Sequence, residues 1–472
     1  VGLAQRARDV LRRKNPVPAA NEHDVQYGPA LPAIPTIHLV LDLALRIGEV
    51  QMASGAGAAD ATATILAVTN AYGLPHCEVD VIYTSITVCC HLGVDQAPIT
   101  TLRVVRSRSM DYSRLSATED LVRQITSGEI SVGDAHSELQ RITTARHPYP
   151  RWVSTLAWGG MAAAIAVLIG AGPLLVILAA LITVVIDQVG RLLNRRALPF
   201  FFQQIVGGAI ATGAAMAVYE SDLLGDATTS LAVAANLVVL LSGLSVVGVA
   251  QDAVSGYNVT ATGRAGETLL MTAGLVTGVV LALRVGVALG ASEAQVAERL
   301  PPVAGEVPMM VIAAAATAAC FALASYAPRR TLLVAAGAGA IGQAAYSGLI
   351  LSTLVGPIPA AAGAAAVVGF CGGVLSRRLR VPALVIVVSG IAPLLPGLST
   401  YRALYQLAAE NDVTSAVPDL IMAAGIALAL GAGVVLGEFL AHPVQRGLSR
   451  LERRLAGPRM SGPLNPAPRR LE

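Results

Sequence analysis

The stretch SGIAPLLPGLSTY, Ser389 to Tyr401, follows the apolar run VPALVIVV and carries two prolines and two glycines where a membrane helix is expected to continue. Pro393 and Pro396 lack N–H donors and clash with the preceding turn, so the helix must break. Gly390 and Gly397 let the backbone turn. Carbonyls freed inside lipid are costly unless something satisfies them, and such breaks persist where they line a polar cavity. Their exposed backbone can then hold a small ammonium or carboxylate. Ser389 stands before the break, and Ser399, Thr400 and Tyr401 add hydroxyls beyond it. These eight residues are the candidate substrate pathway; the plainer reading of the same residues is a packing kink near the end of a span.

A second constellation is QDAVSGYNVTATGRAGE, Gln251 to Glu267. Here Asp252 is expected to close the fourth span, Arg264 to lie in the loop, and Glu267 to open the fifth. An acid and an arginine at a membrane boundary make either a gate ion pair or part of a proton path. Asp187, late in the second span, joins this set, although it and Glu438 have nearby partners in Arg191 and His442. No catalytic residue is expected. Ser54, Asp60 and His76 could be assembled into a triad only on paper, because no G-x-S-x-G elbow surrounds the serine. There is no Walker A motif, so ATP is not the energy source by that route. Cys77, Cys89, Cys90, Cys320 and Cys371 show no CxxC spacing, which predicts free thiols, no metal and no cofactor.

The elements that must position these residues are mostly membrane helices. The chain has 472 residues, 54% hydrophobic and 13% charged, with a mean hydropathy of +0.63. A soluble domain carries roughly twice that charged fraction. A net charge of +3 is too small to suggest nucleic-acid binding. The opening VGLAQRARDVLRRKN is basic and lacks a long apolar core, so the N-terminus is expected to stay in the cytoplasm.

Residues 1–34 read as a basic, proline-rich tail, and 35–150 as a cytoplasmic α/β domain. Within it, IHLVLDLALRIGEVQMAS and AGAADATATILAVTNAYG read as helices. CEVDVIYTSITVCCHL reads as one strand paired with ITTLRVVRS. SATEDLVRQITSG and SVGDAHSELQRITTA follow as helices, the second capped by Ser131 and Asp134. Tyr149, Arg151 and Trp152 then mark a membrane interface.

Ten apolar spans follow, at about 153–170, 173–190, 203–219, 230–250, 267–285, 308–325, 331–352, 355–375, 381–398 and 418–440. They divide into a first membrane half, 151–290, and a second, 306–442, before a basic tail at 443–472. Alternate loops carry Arg191, Arg195, Arg196, Arg264, Arg329, Arg330, Arg377, Arg378 and Arg380, whereas the intervening loops are acidic. The positive-inside rule therefore puts both termini in the cytoplasm. Five spans repeated once must be inverted, a common transporter plan. Glycine- and alanine-rich spans also allow a homodimer.

Three segments carry a resemblance to a known family: ASGAGAADATATILAVTNAYGLP with CEVDVIYTSITV after it, DAVSGYNVTATGRAGE, and GIAPLLPGLSTYRAL. In order and layout the chain resembles the threonine/serine exporters. The resemblance implies secondary export of L-threonine and L-serine across the bacterial cell membrane, driven by the proton motive force. It also raises a hydrolase-like character for the soluble domain, which the residues here support little. The expected partners are the small-molecule substrate, protons and the lipid bilayer. Three other readings stand beside it: export of a dicarboxylate such as succinate, for which the spans offer little buried positive charge beyond Arg284 and Arg402; a membrane-anchored hydrolase; and a plain channel.

Overall fold

Residues 32–92, 96–106, 110–220, 230–240, 243–289, 304–352, 355–408 and 413–441 are described by a computed structural model. The N-terminal part is an α/β unit. Helices α1 (Ile34–Ala53) and α2 (Ala58–Ala71) precede strands β1 (Cys77–Ile82), β2 (Ser85–Cys90) and β3 (Ile99–Val104), and α3 (Tyr112–Thr126) and α4 (Val132–Thr144) follow. The sheet is an antiparallel meander, β1-β2-β3. Alternation along β2 sends Ile86, Val88 and Cys90 into a core with Leu43 and Ile47 of α1, Ile65 of α2, Leu121 of α3 and Leu139 of α4. Ser131 caps α4 by accepting from the Asp134 N–H, as expected.

The single strand expected over residues 77–92 is instead a hairpin. Ile82 pairs with Ser85 across a two-residue turn at Tyr83 and Thr84, with Tyr83 at φ 54°. Neither is a residue that favours such a turn. The turn is held from elsewhere: Thr260 Oγ1 accepts from the Tyr83 N–H at 3.0 Å and donates to the Val81 carbonyl at 2.9 Å.

Eight helices are long and apolar enough to cross a membrane among the described residues, or nine with one bent pair counted. The protein is a polytopic helical membrane protein. The long helices are α5 (Arg151–Leu168), α6 (Pro173–Arg195), α7 (Phe200–Glu220), α10 (Asn258–Ala288), α11 (Val307–Ala324), α12 (Arg329–Leu351), α13 (Pro357–Leu379) and α16 (Val413–Ala441). The span expected at 230–250 is α8 (Ser230–Leu240) and α9 (Gly243–Val254), with residues 241–242 outside the described set. The span expected at 381–398 is α14 (Ala383–Ile391), a 3-10 turn at Ala392–Leu394, and α15 (Gly397–Ala408), the two arms bent by 49°. Helix α10 starts earlier than expected. Its 31 residues reach about 46 Å at 1.5 Å per residue, well beyond a hydrocarbon core of about 30 Å. Arg264 and Glu267 therefore lie inside this helix, and the turn before it is only 255–257.

Helix lengths and close glycine contacts recur along the membrane part. Helices α5 and α11 have 18 residues each, and α6 and α12 have 23 each. In each half the third and fifth helices pack closely over glycines. A Cβ at Gly274 or Gly278 would press on the carbonyls of Phe201 and Ile205; at Gly433 or Gly437 it would press on those of Ala362 and Ala366. Gly208 meets Leu275 as Gly369 meets Val434. Close approach of this kind is the usual use of small residues between membrane helices. Helices α5 and α11 run antiparallel: Ser154 Oγ donates to the Ala324 carbonyl at 2.8 Å, and Leu168 packs with Ala313 and Met310 at the other end. In sequence, Leu-Leu-Ser-Gly-Leu-Ser at 240–245 matches Leu-Leu-Pro-Gly-Leu-Ser at 394–399 at five of six positions.

Candidate functional site

The break in the ninth expected span is buried. Ser389, Gly390, Pro393, Ser399, Thr400 and Tyr401 are all buried, and Pro396 is partly so. The carbonyl of Ser389 would accept from residue 393 in a helix, but that residue is Pro393 and has no N–H. The Ser389 hydroxyl is fully buried and meets no partner among the described residues. At the other arm, Thr400 N–H donates to the Pro396 carbonyl at 3.1 Å, which makes Pro396 the N-cap of α15. Proline offers no side-chain acceptor to the N–H groups of Leu398 and Ser399, which open the helix. The break thus presents acceptors at Ser389 and donors at the α15 N-terminus. Thr400 Oγ1 is spent on the Pro396 carbonyl at 2.7 Å, and the Tyr401 ring lies tilted beside that of Tyr405, centroids 6.1 Å apart.

Helix α8 packs against the α15 arm, where its Val233, Ala234 and Leu237 share a buried cluster with Tyr401 and Tyr405. Gly397 lies directly on this crossing, where a Cβ would overlap Val238 and sit 3.3 Å from the Ala234 carbonyl. Asn236, fully buried, accepts from Thr183 of α6 and fixes α8 on that helix.

The second predicted constellation does come together. Arg264 Nη1 sits 2.9 Å from Asp252 Oδ2, with both side chains at least nine-tenths buried. The pair is built into the N-terminal domain. Asp252 Oδ1 accepts from the Ala58 N–H at 2.8 Å, capping α2 in place of Gly57, which has no side chain. Arg264 Nη2 donates to the Ala56 carbonyl at 3.0 Å. Tyr257 donates to Thr62 at 3.1 Å, and Tyr83 donates to Glu267 at 3.1 Å. A second mount lies on the other half: the Tyr112 N–H donates to the Ser325 carbonyl at 2.9 Å, and His147 stacks on Tyr326 at 4.3 Å. Burial pushes the nearby Glu119 carboxyl up to about 7; Arg123 opposes that rise and Asp60 adds to it. Asp187 is elsewhere, paired with Arg191 one turn along α6. The proposed partner of Glu438, His442, lies outside the described residues.

Residues 42–286 match the family model ThrE of the threonine/serine exporters, and residues 310–440 match a second model, "Threonine/Serine exporter, ThrE". The chain belongs to the threonine/serine exporter family. The exporter is 40% identical over 446 residues to the "Probable threonine/serine exporter" of Mycobacterium tuberculosis, covering 93% of this chain and 83% of that one. It is 36% identical over 411 residues to the "Threonine/serine exporter" of Corynebacterium glutamicum, covering 86% of this chain and 83% of the relative. No solved structure matches it. The two matches meet between α10 and α11, the first covering the N-terminal α/β unit together with the helices up to α10. It is a transporter by family, not an enzyme, and an integral protein of the bacterial cell membrane.

Proposed function

We propose that the chain exports L-threonine and L-serine by alternating access, driven by the proton motive force, with its N-terminal domain and both termini on the cytoplasmic face. In this reading the chain crosses ten times, with α8 and α9 making one crossing and α14 and α15 another. The observation that carries it is the buried break between Ser389 and Ser399. A zwitterionic substrate needs acceptors for its ammonium and donors for its carboxylate. The Ser389 carbonyl and hydroxyl offer the first, and the Leu398 and Ser399 N–H groups at the positive end of α15 offer the second. No net charge is required of the site, which suits a neutral substrate.

Asp252 is the coupling residue in this scheme. Protonating it removes the charge that Arg264 faces and weakens the cap on α2, so a proton and the seating of the N-terminal domain become linked. Glu267, held by Tyr83, stands second in line. Reconstituted vesicles with an imposed pH gradient test this. Wild type should move labelled L-threonine along the gradient, and Asp252→Asn should still exchange threonine but lose the response to the gradient. A full gradient response in Asp252→Asn removes Asp252 from the coupling.

A further inference from the structure

A cavity of about 1200 Å³ lies between the N-terminal domain and the second membrane half. One wall is α3, with Ser116 and Asp120; the other holds Arg330, in the first turn of α12, and Arg380, just before α14. Helix α3 is fastened to the membrane part at its first residue, where the Tyr112 N–H donates to the Ser325 carbonyl at 2.9 Å and the Tyr112 ring meets Phe321 edge-on at 6.1 Å. The space is larger than a pocket closed around a small ligand, which makes it a vestibule.

Two helices lead from this vestibule to the break. At 1.5 Å per residue, α12 rises about 18 Å from Arg330 to Gly342, and α14 about 12 Å from Ala383 to Ile391. They meet at the break: a Cβ on Gly342 would sit 3.0 Å from the Gly390 carbonyl and 3.8 Å from Leu394. On the way, Ala335 and Ala338 of α12 and Val385, Ile386 and Val388 of α14 are all buried. The vestibule and the break are thus the two ends of one helix pair, with a packed apolar stretch between them.

The vestibule carries both signs of charge. Asp120 pairs with Arg123 within α3. Glu129, Arg330 and Arg380 also line the cavity, are exposed, and have no ion-pair partner among the described residues. A solute of one charge meets repulsion here as well as attraction, whereas a zwitterion finds a partner for each end. Fixed charges around a cleft raise the local concentration of a complementary solute. From these features we infer that the cavity is the cytoplasmic entrance of the transport path, a low-affinity binding site that gathers zwitterionic amino acids and passes them to the break when α12 and α14 part. This rests on the exporter reading above.

The test uses the whole purified chain, in threonine counterflow with proteoliposomes and in thermal stabilisation by threonine in detergent. Ser116→Trp places a large ring in the open cavity. Its melting point should stay within a few degrees of wild type, because there is room for the ring. Its counterflow rate should fall about tenfold, while stabilisation by threonine persists, because obstruction slows access without altering the break. Ser137→Trp, on α4 and outside the cavity, should behave as wild type. Arg330→Gln combined with Arg380→Gln should raise the threonine KM about threefold at an unchanged maximal rate, the size expected of exposed charges. High salt should raise the wild-type KM in the same way and change the double variant little. A loss of fold in Ser116→Trp leaves the charge variant and the salt dependence to decide. A wild-type rate in Ser116→Trp with a wild-type KM in the double variant overturns the entrance; if Ser389→Ala still raises the KM in the same vesicles, the exporter reading stands. If wild type shows no threonine counterflow, the exporter reading itself fails.

Discussion

Asp252 and Arg264 meet at 2.9 Å, and the other oxygen of Asp252 caps a helix of the N-terminal domain 194 residues earlier in the chain. One carboxylate therefore ties the end of a membrane crossing both to the next helix and to the domain beside it. Removing one partner leaves an uncompensated buried charge, which typically costs about 3–5 kcal/mol. Asp252→Asn and Arg264→Met should each lower the melting point. The double variant should recover much of the loss, because no charge is then stranded. Thermal unfolding of the four proteins in detergent reads this directly, and additive losses would show that the two side chains act separately.

The close glycine contacts at the two helix interfaces make a matched pair of predictions. A Cβ at Gly278 or at Gly437 would overlap a backbone carbonyl of the neighbouring helix, which cannot swing aside as a side chain can. Gly278→Ala and Gly437→Ala should each cost about 1–3 kcal/mol. Gly266, which has open space around it, should accept alanine without loss. Unfolding of the three variants compares the two equivalent interfaces with an internal control.

Replacing Pro393 by alanine restores the N–H that the Ser389 carbonyl lacks. Helix continuity should improve and the melting point should rise, since proline is the poorest helix former. The acceptor for the substrate ammonium is then filled from within. The threonine KM should rise about tenfold, the equivalent of one lost hydrogen bond of about 1.4 kcal/mol. Higher stability with unchanged KM would make the break a packing feature only.

Glu119 supplies a pH dependence outside the membrane. Burial raises its carboxyl from 4.5 to about 7, so between those values the folded chain holds a proton that the unfolded chain releases. Its contribution is fully present below pH 4.5 and is lost as pH rises through about 7. Glu119→Gln cannot lose that proton. Melting curves from pH 5 to 8 should show a flatter profile for the variant and, above pH 7, a melting point about 2–4 °C higher than wild type.

Much of this architecture was legible in the residues. Uninterrupted apolar runs located the long helices, and the paired prolines and glycines located the break after Ser389. What was missed depended on distant contacts. The hairpin turn at Tyr83 carries no turn-favouring residue because Thr260 holds it from another domain. Arg264 and Glu267 read as loop and span boundary because helix α10 runs beyond the thickness of a bilayer to reach that domain. The mutual position of Asp252 and Arg264 was anticipated, but the cap that Asp252 places on α2 was not.

The account stands most directly on the break in α14–α15 as the place where substrate binds. Counterflow of labelled L-threonine in proteoliposomes, with no ion gradient imposed, isolates binding and exchange from coupling. Wild type should show saturable threonine counterflow, and Ser389→Ala should raise its KM about tenfold with the fold intact by melting point, as expected for the loss of one hydrogen bond to the ammonium. Wild-type KM and rate in Ser389→Ala, with Pro393→Ala equally unaffected, would contradict it and move the substrate away from the break.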